Sequence, residues 1–219
     1  GDGAARISSN GQRIAVGAYN ADTGGFTNNG CIYVYDFDGA VWQLAASLCG
    51  GANNGFVGGN ADMSSDGNMI ASGYSGRLEV FKYENGAWTK QVLTGGSSFG
   101  WSVALNVAGD MMAVSQLQAS RVFTYRHDGT TWNSIGVVSS ATLGSSTWFG
   151  VGVALATVGS TTTMIVGAAL ADIGGTNRGQ APTMASCVWL PTAFSLTALF
   201  QTAIFFFISR AVSVYTNSG

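Results

Sequence analysis

Few side chains in this 219-residue sequence could carry out a reaction. The single histidine, His127, sits in "YRHDGTTW" beside a tight turn, where an exposed polar residue is the usual occupant. One imidazole without a GxSxG elbow or a ligand cluster leaves serine hydrolysis and zinc chemistry short of parts. Carboxylates are the other candidates, because two of them across a cleft can act as acid and base. Asp22 in "NADTGG" and Asp172 in "LADIGG" occupy matching positions after an apolar strand, and Asp62 lies near a further loop. The Asp22 and Asp172 loops are long and glycine-rich and should emerge on one face of the fold, so these two are the ligand-face candidates. The everyday role of an aspartate so placed is a solvated Asx-turn.

Cys31, Cys49 and Cys187 match no zinc or redox spacing. Cys31 opens one expected strand and Cys49 closes the next, so a hairpin would bring them near each other. A disulfide there would imply an oxidising compartment. Two small buried hydrophobes is the alternative, and the one the sequence favours.

Nine Lys and Arg against eleven Asp and Glu leave a net charge of −2, and the cations are scattered singly. Without a basic stripe to neutralise phosphates, nucleic acid is excluded as a partner. The 47% hydrophobic share excludes a disordered tail, while 9% charged residues is far below the usual share of about 25%. A surface built from Ser, Thr, Asn and backbone suits an extracellular or cell-surface β-protein. The start, "GDGAARISSNG", has neither Met nor a signal peptide, so the chain is expected to be a piece of something larger.

The elements that must hold these residues repeat. "ISSNGQRIAVGA" (7–18) and "CIYVYDFDGAVWQLAASL" (31–48) align with "MSSDGNMIASG" (63–73) and "GRLEVFKYENGAWTKQVL" (76–93). "FGWSVALNVAGDMMAVS" (99–115) and "SRVFTYRHDGTTWNSIGVV" (120–138) follow, and "WFGVGVALATVGSTTTMIVGAA" (148–169) begins a fourth unit. Each reads as four strands. The first turns at Asn10-Gly11, Asp66-Gly67, Ala108-Gly109 or Val158-Gly159, and Asn-Gly and Asp-Gly suit a type I′ hairpin. The second strand is apolar on both faces, as between packed sheets. The third alternates and turns at Asp38-Gly39, Asn85-Gly86 or Asp128-Gly129 into a fourth that begins with Trp42, Trp88 or Trp132. One Trp per unit predicts large side chains stacked between sheets as core rather than as a ligand platform. Four-stranded units recurring every 40 to 50 residues or so fit the blades of a β-propeller.

"FGWSVAL" (99–105), "FGVGVAL" (149–155) and "IAVGA" (14–18) resemble FG-GAP repeats, in the variant FGxSVALSxDGxxLAVGA followed by GxVYVYxxxGxxW. The resemblance covers residues 1 to about 170 and faintly 211–216, and it implies an integrin-α-type propeller. Repeat two departs from it, with "GFVGGNADM" where FGxSVAL is expected, so its inner edge should be irregular. Such blades often hold calcium in DxDxDG-like loops. Here "SSNG", "SSDG", "NVAG" and "ATVG" offer at most one carboxylate each and "DFDG" (36–39) only two, so turn chemistry is expected and no cofactor. "SSDG" is also similar to a sialidase Asp-box, but its spacing to an aromatic residue does not fit.

One segment interrupts the pattern. Residues 180–209 contain no charged side chain, and removing them would join "NRG" to "RAVSVY" and restore the loop length of repeat one. Three readings stand: a membrane-spanning helix within 184–208, a helix starting at Pro191 or a hairpin that packs on the blade, and translated non-coding sequence. The expected architecture is therefore all-β. Blades of four antiparallel strands occupy 1–52, 53–97 and 98–145, and an interrupted fourth occupies 146–219, as a short four-bladed ring or an open arc of a larger one. The expected function is non-catalytic binding or adhesion to a protein or glycan ligand through loops on one propeller face. A glycan-processing enzyme with loop carboxylates, or a purely structural scaffold, is the alternative.

Overall fold

The computed structural model of the chain describes residues 3–140, 148–159 and 161–168, and the backbone of 185–190 and 193–198. Strands β1 (Ala5–Ile7), β2 (Arg13–Ala18), β3 (Cys31–Phe37) and β4 (Trp42–Cys49) form one sheet in chain order, each antiparallel to the next. β5 (Ala61–Met63), β6 (Met69–Tyr74), β7 (Arg77–Glu84) and β8 (Ala87–Thr94) form a second. β9 (Phe99–Leu105), β10 (Met111–Gln116), β11 (Arg121–His127) and β12 (Trp132–Ser139) form a third, and β13 (Phe149–Val158) pairs with β14 (Thr161–Ala168). The first strands of successive sheets lie side by side, as strands at a hub do. The fold is an all-β propeller with three complete blades and two strands of a fourth.

The first turn of each of the three complete blades is not the two-residue type I′ hairpin expected from its sequence. At Asn10-Gly11 and Asp66-Gly67 only the glycine has positive φ. Instead a buried residue three positions before the glycine organises a longer turn. Ser8, Ser64 and Asn106 each accept the glycine N–H on their carbonyl. Their side-chain oxygens accept the N–H of Arg13, Met69 and Met111, the first residue of the next strand. These turns also join the blades, because Ser9 N–H donates to Ser65 O and Ser65 N–H to Val107 O. Type I′ geometry appears at Asn85-Gly86, where both residues have positive φ and Glu84 pairs with Ala87. Asp38 and Asp128 make a third kind of turn, each carboxylate accepting two backbone N–H groups. These bonds hold both carboxylates well below the usual carboxylate range.

The core lies between blades rather than within them. Ala15, Ile32 and Val34 of the first blade pack on Ile70 and Phe81 of the second. Met69, Leu78 and Val80 of the second pack on Phe99, Val103 and Met112 of the third, and Val122 and Val138 pack on Phe149, Met164 and Val166 of the fourth. Each repeating Trp meets the residue opposite it on the neighbouring strand: Phe37–Trp42 at 5.3 Å, Tyr83–Trp88 at 5.2 Å and His127–Trp132 at 5.2 Å. Trp88 and Trp132 are then covered by the preceding blade, as expected of interlocking core. The Arg13 guanidinium lies 4.7 Å from the Tyr83 ring and 5.5 Å from Trp88, held by two bonds to Asp36. Trp42 departs from the expectation: it is 40% exposed, with exposed Ile7 and Leu44 on the same sheet, because no described blade precedes its own.

The Phe-Gly pair has a packing reason. Phe99 and Phe149 are buried, and Gly100 and Gly150 follow with φ of 84° and 90°. A Cβ at Gly100 would stand 2.7 Å from Arg77 O and 3.0 Å from Gly73 Cα, so only glycine admits the close approach to the preceding blade. Repeat two keeps this geometry despite its sequence. Val57 is 1% exposed in the place of the phenylalanine, and Gly58 has φ of 91°. The residues before these pairs, Phe56, Ser98 and Trp148, all have positive φ. The expected irregularity lies further on: the inner strand β5 covers only Ala61–Met63, whereas β9 runs from Phe99 to Leu105.

In the interrupting segment, β15 (Ala185–Leu190) and β16 (Ala193–Ala198) form an antiparallel hairpin, and β15 lies beside β14. The helix expected from Pro191 onward is therefore not what residues 193–198 form; of the readings above, the hairpin is the one these strands match. Among the described residues no helix is long and apolar enough to cross a membrane. The strand expected at 211–216 lies outside the described residues.

Candidate functional site

Strand direction alternates, so the β2–β3 loops and the connections between blades share one end of the propeller. The Asn-Gly and Asp-Gly turns share the other. On the loop end, four aromatic side chains form a continuous row across three blades. Tyr19 follows β2, Phe56 stands in the connection to the second blade, Tyr74 ends β6 and Trp101 lies in β9. Ring centroids are 6.2 Å apart for Tyr19–Phe56, 5.3 Å for Phe56–Tyr74 and 5.7 Å for Tyr74–Trp101. With Gly59 and Asn60 they line an open cleft of about 370 Å³. The Asn60 amide donates to the Trp101 carbonyl and so ties the second blade to the third beneath the row. Gly59 keeps space between Tyr19 and Phe56, since a Cβ there would lie 3.3 Å from both Tyr19 Cβ and Phe56 O.

The loops that carry Tyr19 and Phe56 brace each other. Phe56 N–H donates to Asn28 O, Val57 N–H to Asn29 O and Asn54 N–H to Thr27 O. Buried Asn29 accepts from Thr23 N–H and donates to Thr23 Oγ1 and Gly50 O. Cys31 and Cys49 lie directly opposite on β3 and β4 and are joined as a disulfide. Of the two readings the sequence leaves open, this is the disulfide: the register places the two Cα atoms 4.0 Å apart at the root of both loops.

Asp22 is exposed on this end of the propeller, and its Oδ1 accepts the Asn28 N–H at 2.6 Å, closing the loop. It does not line the cleft. Asp172 lies outside the described residues. Asp62 is engaged in structure, with Oδ1 accepting from Arg6 Nε and Oδ2 from Leu105 N–H, so it links all three blades. In "DFDG", Asp36 is bound by Arg13 and Asp38 by its own turn. The Arg13 hydrogen bond holds Asp36 below the usual carboxylate range, against its partial burial. Among the described residues no three His, Cys, Asp or Glu side chains converge as metal ligands.

A polar cleft of about 400 Å³ lies on the opposite end between blades two and three, lined in part by Asp66, Lys82, Glu84, Asp110 and His127. Its charges are already partnered. Asp66 accepts from Ser64 Oγ and Asn68, Asp110 from Asn106, and Lys82 pairs with Glu84 at 3.1 Å. Buried Glu79 is likewise committed, with Arg77 and Lys90 each 2.9 Å away and Gly51 N–H bonded to Oε1. Burial opposes its ionisation, but these partners prevail and hold its carboxyl below the usual range.

The aromatic row is not legible in the sequence because its members occupy different positions of the repeat. Phe56 was hidden further by the departure of repeat two from FGxSVAL. The available signal is limited to Tyr19 and Tyr74, which stand at the ends of the second strands of their blades.

No protein-family model and no curated protein matches the chain. Among solved structures it is similar to the β-propeller domain of Myceliophteria thermophila Cps50 (Swd1), at 10% identity over 75% of this chain and 49% of that one, with a TM-score of 0.52. A chain of a mitotic checkpoint complex aligns at 12% identity over 88% of this chain and 50% of that one, with a TM-score of 0.49. This chain spans about half the length of the solved structures it matches. At 10% identity the likeness to the Swd1 domain establishes the fold, a β-propeller, and nothing finer.

Proposed function

We propose that this chain is a non-catalytic protein-interaction module built from FG-GAP-like repeats, which holds its partner in the cleft formed by Tyr19, Phe56, Tyr74 and Trp101. The aromatic row is the observation that carries this reading. Rings of this kind supply large contact area with few rotatable bonds, and they dominate binding energy where they cluster. The loops beneath them are braced by backbone bonds and a disulfide, so little ordering cost opposes binding. The propeller neighbour supports a module that presents a surface, by analogy of fold.

Two features separate this reading from the alternatives. The lining carries no carboxylate, so the acid and base of a glycan-processing enzyme are not in this cleft. A pure scaffold would not require a row of partly exposed rings along an open cleft. The Cys31–Cys49 disulfide supports placement in an oxidising compartment, in the extracellular space or at the cell surface.

Display selection of random peptides on the folded protein tests the proposal. Enriched sequences should lose binding to a Trp101→Ser variant whose thermal unfolding matches the parent. Enrichment of nothing, or of peptides that bind the variant equally well, would contradict it.

A further inference from the structure

We infer that the chain pairs head to tail with a second copy of itself, the bare side of its first blade docking on the bare side of the other copy's fourth blade. What covers a blade of this protein is shown inside it. Met63, Ile70 and Phe81 stand directly opposite one another across the second sheet, and this side packs on the first blade. Leu105, Met112 and Tyr125 hold the same places in the third sheet and pack on the second blade. Leu155 and Met164 repeat them in the fourth and pack on the third. The corresponding row of the first sheet is Ile7, Ile14, Tyr35 and Leu44. There Ile7 is 63% exposed and Leu44 56%, whereas Ile70 and Phe81 are buried.

The bare row is more apolar than the covered one. Where the second sheet continues from Phe81 to Lys90, the first continues from Tyr35 to Leu44. Where the second sets Ser72 opposite Glu79, the first sets Val16 opposite Tyr33. A repeat that ends an array in water carries a polar outer side. The first blade carries the reverse, so its outer side is suited to cover. At all three interfaces inside the molecule that cover is the following side of another blade.

Among the described residues, the fourth blade leaves such a side free. Ala154 stands opposite Ile165 at the place of Ala104 and Ala113 in the third blade, where Ala113 packs on the next blade. Ile165 is 39% exposed, and an open apolar hollow of about 440 Å³ runs over Val151, Gly152, Ala154, Ile165 and Gly167. A Cβ on Gly152 would meet no atom within 4 Å. Residues 148–168 include no Asp, Glu, Lys or Arg. In the first sheet Arg6 and Arg13 are bound on the side toward the second blade, and Asp36 pairs with Arg13. Joining the two surfaces therefore strands no charge.

A first-blade side that meets a fourth-blade side is a heterologous contact, which closes a ring or runs on as a filament. One chain spans about half of the solved propeller it resembles, so two copies carry the length of one ring and close it. Association follows mass action, and dilute protein leaves the first blade bare.

Sedimentation equilibrium of the full chain across a roughly hundredfold concentration range tests the pairing. The apparent mass of the parent should rise from one copy toward two and no further. Leu44→Asp and Ile165→Asp, each matched to the parent in thermal unfolding of dilute protein, should each weaken association about tenfold or more. Leu44→Ser and Ile165→Thr replace them if an aspartate prevents folding. Val107→Asp, at an exposed turn of the third blade, should pair as the parent does. A mixture of the Leu44→Asp and Ile165→Asp proteins should recover pairing, because the first keeps its fourth-blade side and the second its first-blade side. A parent of one-copy mass throughout, or one that grows beyond two copies, would overturn the inference. So would undiminished pairing in either variant, since loss in Leu44→Asp alone would mean that first blades meet each other.

Discussion

The Phe56 ring meets the Tyr74 ring edge-on at 5.3 Å, and this contact joins the Tyr19–Phe56 pair to the Tyr74–Trp101 pair in one row. Phe56 holds its place at a backbone φ of 49°, a left-handed conformation costly for a bulky residue. Ser98 and Trp148 share that conformation at the matching position, so the repeat demands the backbone while the cleft uses the side chain. Phe56→Gly separates the two. Relief of the positive φ offsets lost ring contacts and glycine entropy, so unfolding free energy should change by no more than about 1 kcal/mol. Binding of display-selected peptides should fall by about tenfold. A well-folded Phe56→Gly protein with full binding would remove the ring from the site.

Trp88 and Trp42 hold the same place in their blades but differ in cover. Trp88 packs against the first blade and under Arg13, whereas Trp42 is 40% exposed. Denaturant unfolding of Trp88→Ala should show a loss of about 2–3 kcal/mol. Trp42→Ala should stay within about 1 kcal/mol. Equal losses would show that the first blade's outer face is covered in solution.

The Cys31–Cys49 bond closes residues 18 apart in sequence at the root of the two loops. The paired Cys31→Ser, Cys49→Ser variant should lose about 3 kcal/mol of stability on chain-entropy grounds. The loops would also be less braced, so peptide affinity should fall with it. Thiol titration under denaturing, non-reducing conditions checks the premise: Cys187 alone should react, and three reactive thiols would contradict the bond.

Burial, with the nearby Lys82 charge, holds His127 below its ordinary value of 6.5. The folded imidazole therefore binds its proton less tightly than the unfolded one. Stability is full above the unfolded value and falls as pH drops through the window beneath it. Urea midpoints measured from roughly pH 7.5 to 5.5 should decline, and His127→Gln should flatten that slope. The carboxylates held low by hydrogen bonds, Asp36 and Asp66, lose their contribution only under stronger acid. An unchanged slope in His127→Gln would place the titration elsewhere.

Strand order and the four-stranded antiparallel sheets could be read from the sequence because each repeat carries the same punctuation. Gly11, Gly67 and Gly109 mark one turn, and Trp42, Trp88 and Trp132 mark the start of one strand. Turn type could not, because Asn10-Gly11 suggests a two-residue hairpin only if Ser8 is ignored. The buried Ser8 side chain takes the Arg13 N–H and lengthens the turn. The Cys31–Cys49 pairing could be proposed from strand order, but the burial habit of free cysteine competed with it, and the sequence could not supply the register that sets the two residues opposite. The aromatic row was hidden for a different reason. Tyr19, Phe56, Tyr74 and Trp101 are distant in sequence and fall at unlike repeat positions, and only the meeting of connections with strand ends assembles them.

Nuclear magnetic resonance mapping of a display-selected peptide on the labelled protein tests the central claim most directly. The largest shifts should cluster on Tyr19, Phe56, Gly59, Asn60, Tyr74 and Trp101, at the loop end of the first three blades. Shifts centred on the opposite end, at Asp66, Glu84, Asp110 and His127, would contradict it.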